Sequence, residues 1–69
     1  MPLTYAVPGE VNYIKKITGR DEVRRHLAEL GFVVGEPVKV VSKIGGSLII
    51  AVKESRIALD EGLTGRIII

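Results

Sequence analysis

Residues 20–40 read RDEVRRHLAELGFVVGEPVKV, and a change of rhythm inside this stretch decides the fold. In its first half apolar side chains recur at Val23, Leu27 and Leu30, a helical spacing, while the remaining face carries Arg24, Arg25 and His26. Gly31 suits the left-handed residue that ends such a helix, after which Phe32 can fold back on Leu27. Asp21, alone or with Thr18 as a capping-box-like pair, is placed to cap the first turn, and Glu22 with His26 and Arg25 with Glu29 are spaced for i, i+4 pairing. An arginine-bearing helix followed by glycine looks like the first half of a helix-turn-helix. The second half excludes that reading. Pro37 and the valine-rich Val38, Val40 and Val41 make the next segment a strand, with Val38 and Val40 on one face and Lys39 and Lys43 on the other, so no recognition helix follows.

Working outward, glycines cut the rest of the chain into strand-length pieces. Gly45 and Gly46 lie between two β-branched runs, the signal of a two-residue hairpin turn in which both residues take positive φ. Glu54 and Ser55 make a second tight connection between LIIAVK and RIAL. LDEGLTG then has the character of a short 3₁₀ segment, and RIII is a closing strand. Upstream, GEVNYIKKI is a strand whose apolar Val11, Ile14 and Ile17 are spaced by three, which implies a twist or bulge. The expected fold is therefore mainly β: a small, partly closed SH3-like barrel of about five strands, with one α-helix inserted after the first strand.

Composition narrows the function. Sixty-nine residues make one domain, 1–69, and a chain of this size buries only roughly 60% of the surface that its unfolded form exposes, which argues against an elaborate enzyme cleft. With no cysteine there is neither a disulfide nor a thiolate metal site. Ten basic and eight acidic residues are interspersed, with a net charge of +2, as on an ordinary soluble surface. The longest apolar run, SLIIAV, is far below the roughly 20 residues of a membrane span, and MPLTYAVPGE has neither a basic start nor an apolar core of a signal peptide. The expectation is a cytoplasmic protein without a membrane span.

Chemistry-bearing motifs are sparse. No phosphate-binding Gly-x-x-x-x-Gly-Lys-Ser/Thr loop occurs, and the single histidine has no serine near it in sequence, so no enzymatic role is expected. His26 lies one turn from Glu22 and three residues from Glu29. Imidazole and carboxylates are ligands that Fe2+ or Zn2+ accepts, but one helix leaves most of the coordination sphere to water. These three are weak metal candidates, and no cofactor is required. Lys39, Lys43, Lys53, Arg56 and Arg66 could gather on strand surfaces as an RNA footprint. With only Tyr5, Tyr13 and Phe32 as aromatics, solvated faces and no direct nucleic-acid binding are expected. Ile49 and Ile68 point away from the barrel interior, either to pack under the helix or to form an exposed apolar patch. Phe32, Val33 and Val34, bracketed by Gly31 and Gly35 and preceded by Arg24 and Arg25, have the composition of a docking site: apolar anchors with a charged rim.

LAELGFVVGEPVKVV followed by GGSLIIAVKESRIALDEGLTGRIII resembles the FeoA family of ferrous iron transport proteins, through Leu27, Gly31, Gly35, Arg56, Ala58, Leu59 and Ile67 to Ile69. PGEVNYIKKITG looks like the family's first strand, so the resemblance spans nearly the whole chain. It implies an SH3-like, non-enzymatic accessory protein that docks on FeoB, the membrane GTPase transporter of ferrous iron, is peripheral to the inner face of the membrane through that partner, and could form a homo-oligomer. It also implies an alternative: a metal-responsive transcriptional regulator module related to the SH3-like domain of DtxR-type repressors, here without their helix-turn-helix.

Overall fold

A computed structural model describes residues 1–69. After a 3₁₀ turn at Leu3–Tyr5 the elements run β1 (Val11–Tyr13), β2 (Lys16–Ile17), α1 (Asp21–Glu29), β3 (Pro37–Ile44), β4 (Ser47–Val52), β5 (Ser55–Asp60), α2 (Glu61–Thr64) and β6 (Ile67–Ile68). Four strands pair in the order β1-β3-β4-β5, and β2 pairs with β6 in a second sheet. This is the SH3-like architecture expected, with the helix entering after the second strand rather than the first.

The difference arises in GEVNYIKKI. The three-residue spacing of its apolar positions marks a change of sheet: Val11–Tyr13 pair with β3 and Lys16–Ile17 with β6, while Ile14 between them is buried. Val11 and Tyr13 consequently face solvent. A twist keeps one strand in one sheet; here the chain crosses the corner of the barrel, and Ile14 fills it.

The core is one cluster of thirteen apolar residues, to which β4 contributes Leu48, Ile50 and Val52 in strict alternation. Leu3 and Ala6 join it from the N-terminal turn, a segment whose sequence gives no strand or helix period. Ile67 and Ile69 point inward as their alternation requires. Ile49 and Ile68 are half-buried and belong neither to the cluster nor to the apolar fringe around it, which consists of Ile17, Val23, Leu30, Ile57 and Leu63. The exposed large apolar side chains are others: Met1, Tyr5, Val7, Val11, Tyr13, Val33, Val34 and Ile44.

Several local expectations are corrected. Helix α1 begins at Asp21 with Arg20 as its N-cap and no side-chain cap; Asp21 lies inside the first turn, beside the orphan amides, and Thr18 Oγ1 instead donates to the Arg66 carbonyl at 3.3 Å. The ion pair on the helix joins Asp21 to Arg24 at 3.7 Å, and neither Glu22 with His26 nor Arg25 with Glu29 is paired. In β3 a bulge leaves Val41 unpaired between Val40↔Ile50 and Ser42↔Ile49. Beyond it Lys43 lies opposite buried Leu48, so Lys39 and Lys43 no longer share a face, and the Lys43 ammonium donates to the Thr4 carbonyl at 3.2 Å. The second hairpin turns at Lys53 and Glu54, one residue earlier than expected, with Lys53 at φ 54°. The segment after it is one turn of α-helix, α2, capped by Asp60 through a 3.0 Å bond from the Leu63 amide.

At the β3–β4 turn only Gly45 has positive φ, +58°, and Gly46 does not, so the expectation that both need it is also corrected. Open space surrounds both positions, which leaves backbone strain as the difference between them. Gly45→Ala is expected to lower stability by about 1 kcal/mol and Gly46→Ala by no more than about half of that, measured by chemical denaturation. A second test concerns Thr64, the buried polar residue, whose hydroxyl lies 2.8 Å from that of Thr4 and joins α2 to the N-terminal turn. Thr64→Val keeps the shape, removes the bond and is expected to cost about 1 kcal/mol.

Candidate functional site

The C-terminal end of α1 is closed by a Schellman motif. Gly31, at φ +106°, lets the Phe32 amide reach the Leu27 carbonyl at 2.9 Å, while the Gly31 amide donates to Ala28 at 3.0 Å. Leu27 and Phe32 are both fully buried as a result. The chain beyond them cannot follow into the core. Val33 is 38% exposed and Val34 66% exposed.

This loop is fixed rather than loose. The Gly35 amide donates to the Ile14 carbonyl at 2.7 Å, the Ile14 amide donates to Glu36 at 3.0 Å, and the Glu36 amide closes back on Val33 at 3.0 Å. Gly35 has φ +90°, the conformation that allows this return. The Glu36 carboxylate meets the Lys53 ammonium at 3.7 Å.

Between this loop, β2 and the helix lies a groove of about 360 Å³, lined by Ile17, Ala28, Phe32, Val33 and Val34 with Lys15, Lys16 and Arg24. Its floor is apolar and its charged groups are all cations. The ion pair of Arg24 with Asp21 is long and solvated, which leaves the guanidinium available at the rim. Arg24, Val33 and Val34, singled out in the sequence, therefore line one concavity; Phe32 lies behind its floor, fully buried and without surface to offer as an anchor, and Arg25 does not line it. Lys15, Lys16, Ile17 and Ala28 were not legible as part of it, although the Lys15–Lys16 pair inside an apolar strand was a signal. β2 brings them there: its pairing with β6, continued by the bond from the Lys15 amide to the Ile68 carbonyl at 2.7 Å, lays the two lysines beside the helix end.

The other candidates do not converge. No group of three or more His, Asp or Glu side chains is placed to hold a metal ion, so Glu22, His26 and Glu29, all exposed on α1, do not form a three-ligand set. The strand cations are dispersed: Lys43 on Thr4, Lys53 on Glu36, and Lys39 and Arg56 on the outer sheet face on either side of Ala51. Tyr5 and Tyr13 are exposed and Phe32 is buried. No helix is long and apolar enough to cross a membrane.

The family model of the FeoA domain matches residues 1–69, the full length of the chain. The chain belongs to the FeoA family. A protein of Methanocaldococcus jannaschii provisionally named Fe(2+) transport protein A is 34% identical over 68 residues, covering 99% of this chain and 83% of that one. FeoA of Stenotrophomonas maltophilia, crystallised with zinc and described as an SH3 domain protein, superposes with a TM-score of 0.86 at 30% identity, over 99% of this chain and 87% of its own. Another FeoA crystal structure, described as an iron uptake regulatory protein, gives 0.89 at 29% identity, over 97% of this chain and 91% of its own. A manganese-dependent transcriptional repressor gives 0.88 over 97% of this chain but only 39% of its own, and at 16% identity the likeness is one of fold alone.

The dispersed ligands of this FeoA chain carry a metal prediction. A complete site would stabilise the folded state in proportion to the logarithm of metal concentration. With about a tenfold excess of Zn2+ the melting temperature of the monomer is expected to stay within about 1 °C of the metal-free value. A rise of several degrees that His26→Ala abolishes would show that the helix does complete a site.

Proposed function

We propose that this chain is a non-enzymatic accessory protein of ferrous iron uptake that docks on the cytoplasmic part of a FeoB-type GTPase transporter and modulates it, with the groove beside the end of α1 as its contact. The observation that carries this reading is membership of a ferrous iron transport family over residues 1–69, combined with a concave, apolar-floored groove rimmed by cations and no metal-ligand cluster. The Stenotrophomonas relative, described as a candidate activating factor of ferrous iron transport, supports the same role.

Val33 and Val34 are the anchors in this reading, because they are apolar, held on a pinned loop and already exposed. Their burial in a partner costs little ordering entropy. Lys15, Lys16 and Arg24 attract a partner segment rich in carboxylates and set its register. Any GTP chemistry resides in the transporter, and no resident cofactor is needed. The protein then sits at the inner face of the membrane through its partner. A metal-responsive regulator, the rival reading, rests on a likeness of fold alone.

Val34→Glu places a carboxylate on the groove wall at an exposed position, so the fold is expected to survive. Binding to the purified transporter is expected to fall about tenfold or more, the usual effect of spoiling a central apolar anchor. Lys39→Glu, on the outer sheet face, is expected to leave binding within about twofold. Isothermal titration of both folded variants decides the matter: unchanged binding of Val34→Glu with loss on Lys39→Glu would move the contact to the sheet.

A further inference from the structure

The four-stranded sheet ends on an uncovered strand. β5 bonds to β4 alone, and none of the backbone hydrogen bonds outside the regular ladders reaches residues 55–60. The two-residue turn at Lys53 and Glu54 makes Val52 and Ser55 the hydrogen-bonded pair that closes the hairpin. Every second residue from there, Ser55, Ile57 and Leu59, directs its backbone groups at β4. Arg56, Ala58 and Asp60 direct theirs outward, and their side chains are exposed. Nor does α2 fold across this edge: the Glu61 amide donates to the Gly46 carbonyl at 3.0 Å, which turns the chain back toward the β3–β4 hairpin. An open strand of six residues is a template for another strand.

We propose that the β5 edge is a self-association surface, on which a second copy of this chain adds its own β5 antiparallel across a two-fold axis at Ala58. The sequence SRIALD selects both the occupant and the register. Outward-bonding residues must oppose outward-bonding residues, and the register centred on Ala58 is the one that brings all three of them into the ladder. It sets Arg56 of each copy opposite Asp60 of the other, twice by symmetry, and places the small Ala58 side chain on the axis. It also lays half-buried Ile57 beside Leu59 of the other copy. Centring on Arg56 or Asp60 opposes like charges, and centring on Ile57 or Leu59 leaves both Arg56–Asp60 contacts unmade. Both charges are free to pair: Arg56 has no ion pair within the chain, and Asp60 uses only Oδ1, as the cap of α2. The product is a continuous sheet with the two grooves untouched by the ladder.

A single strand edge is a small interface, so the association is weak, with a dissociation constant on the order of 0.1–1 mM. Sedimentation equilibrium of the full chain is expected to show a monomer–dimer equilibrium in that range. Amide exchange followed by NMR is expected to show the Arg56 and Ala58 amides exchanging fast in dilute solution and becoming protected at about 1 mM, while those of Ile57 and Leu59 are protected throughout. Arg56→Glu sets a carboxylate opposite the Asp60 carboxylate of the other copy at each end of the ladder and is expected to weaken dimerisation about tenfold or more. Ala58→Pro removes the axial donor at an edge position where proline is tolerated and is expected to leave a folded monomer, checked by circular dichroism. A chain that stays monomeric at about 1 mM, or one that associates without protecting the Arg56 and Ala58 amides, overturns the proposal, as does association indifferent to Arg56→Glu.

Discussion

The hydrogen bond from the Phe32 amide to the Leu27 carbonyl, 2.9 Å long, is the constraint on which the rest of the structure depends. It exists because Gly31 holds φ +106°, a value at which any side chain would be strained. The bond reverses the chain within two residues of the helix and puts Phe32, the largest fully buried side chain, into the core beside Leu27. A longer connection would leave helical carbonyls without partners and would cost closure entropy in a domain with little stability to spare. The space beside Gly31 is already occupied by the aliphatic stem of Lys53, which approaches the position of a hypothetical Cβ to 3.4 Å, so helix end, turn and second hairpin are packed as one unit.

The candidate site is the outward consequence of that closure. Once Phe32 is committed inward, Val33 and Val34 must leave the core, and the bonds between Gly35, Ile14 and Glu36 hold them in place. The apolar surface that results is small, fixed and bordered by cations from two different elements, β2 and α1. Those properties suit recognition of another polypeptide. Glu22, His26 and Glu29 of α1 are exposed and lie outside the groove.

A thirteen-residue core also explains where the remaining apolar surface lies. β1 is a short edge strand whose outward residues, Val11 and Tyr13, have no layer above them, and Ile44 stands at the tip of the first hairpin. The bulge at Val41 increases the local twist and brings the Lys43 ammonium to the Thr4 carbonyl, an exposed bond between β3 and the N-terminal turn. The sheet therefore ends differently on its two sides, with three residues at β1 and an open strand of six at β5.

Local chemistry was legible from the sequence wherever one element determines its own form. The 3.6-to-2 change of period, the left-handed Gly31, the alternation of Leu48, Ile50 and Val52, and the ordered pattern from Leu27 to Ile69 that resembles FeoA all hold in the fold. The run Phe32, Val33 and Val34 was legible only as apolar side chains bracketed by glycines; that Phe32 turns inward while Val33 and Val34 stay exposed is visible in the fold alone. Tertiary structure alone decided the rest. The split of GEVNYIKKI between two sheets depends on β6, some fifty residues away, and the bulge at Val41 on the register with β4. Leu3 and Ala6 are core residues because their turn packs against α2 and the N-terminus before it pairs with the closing strand at Pro2 and Ile68, not because their own segment has a period. The groove joins Lys15 and Lys16 to Arg24 and Val34 only through the β2–β6 pairing. Periodicity reports which face of an element meets apolar surroundings; it is silent about which distant element supplies them, because that choice is made by long-range pairing whose free energy is gained only when the whole barrel closes.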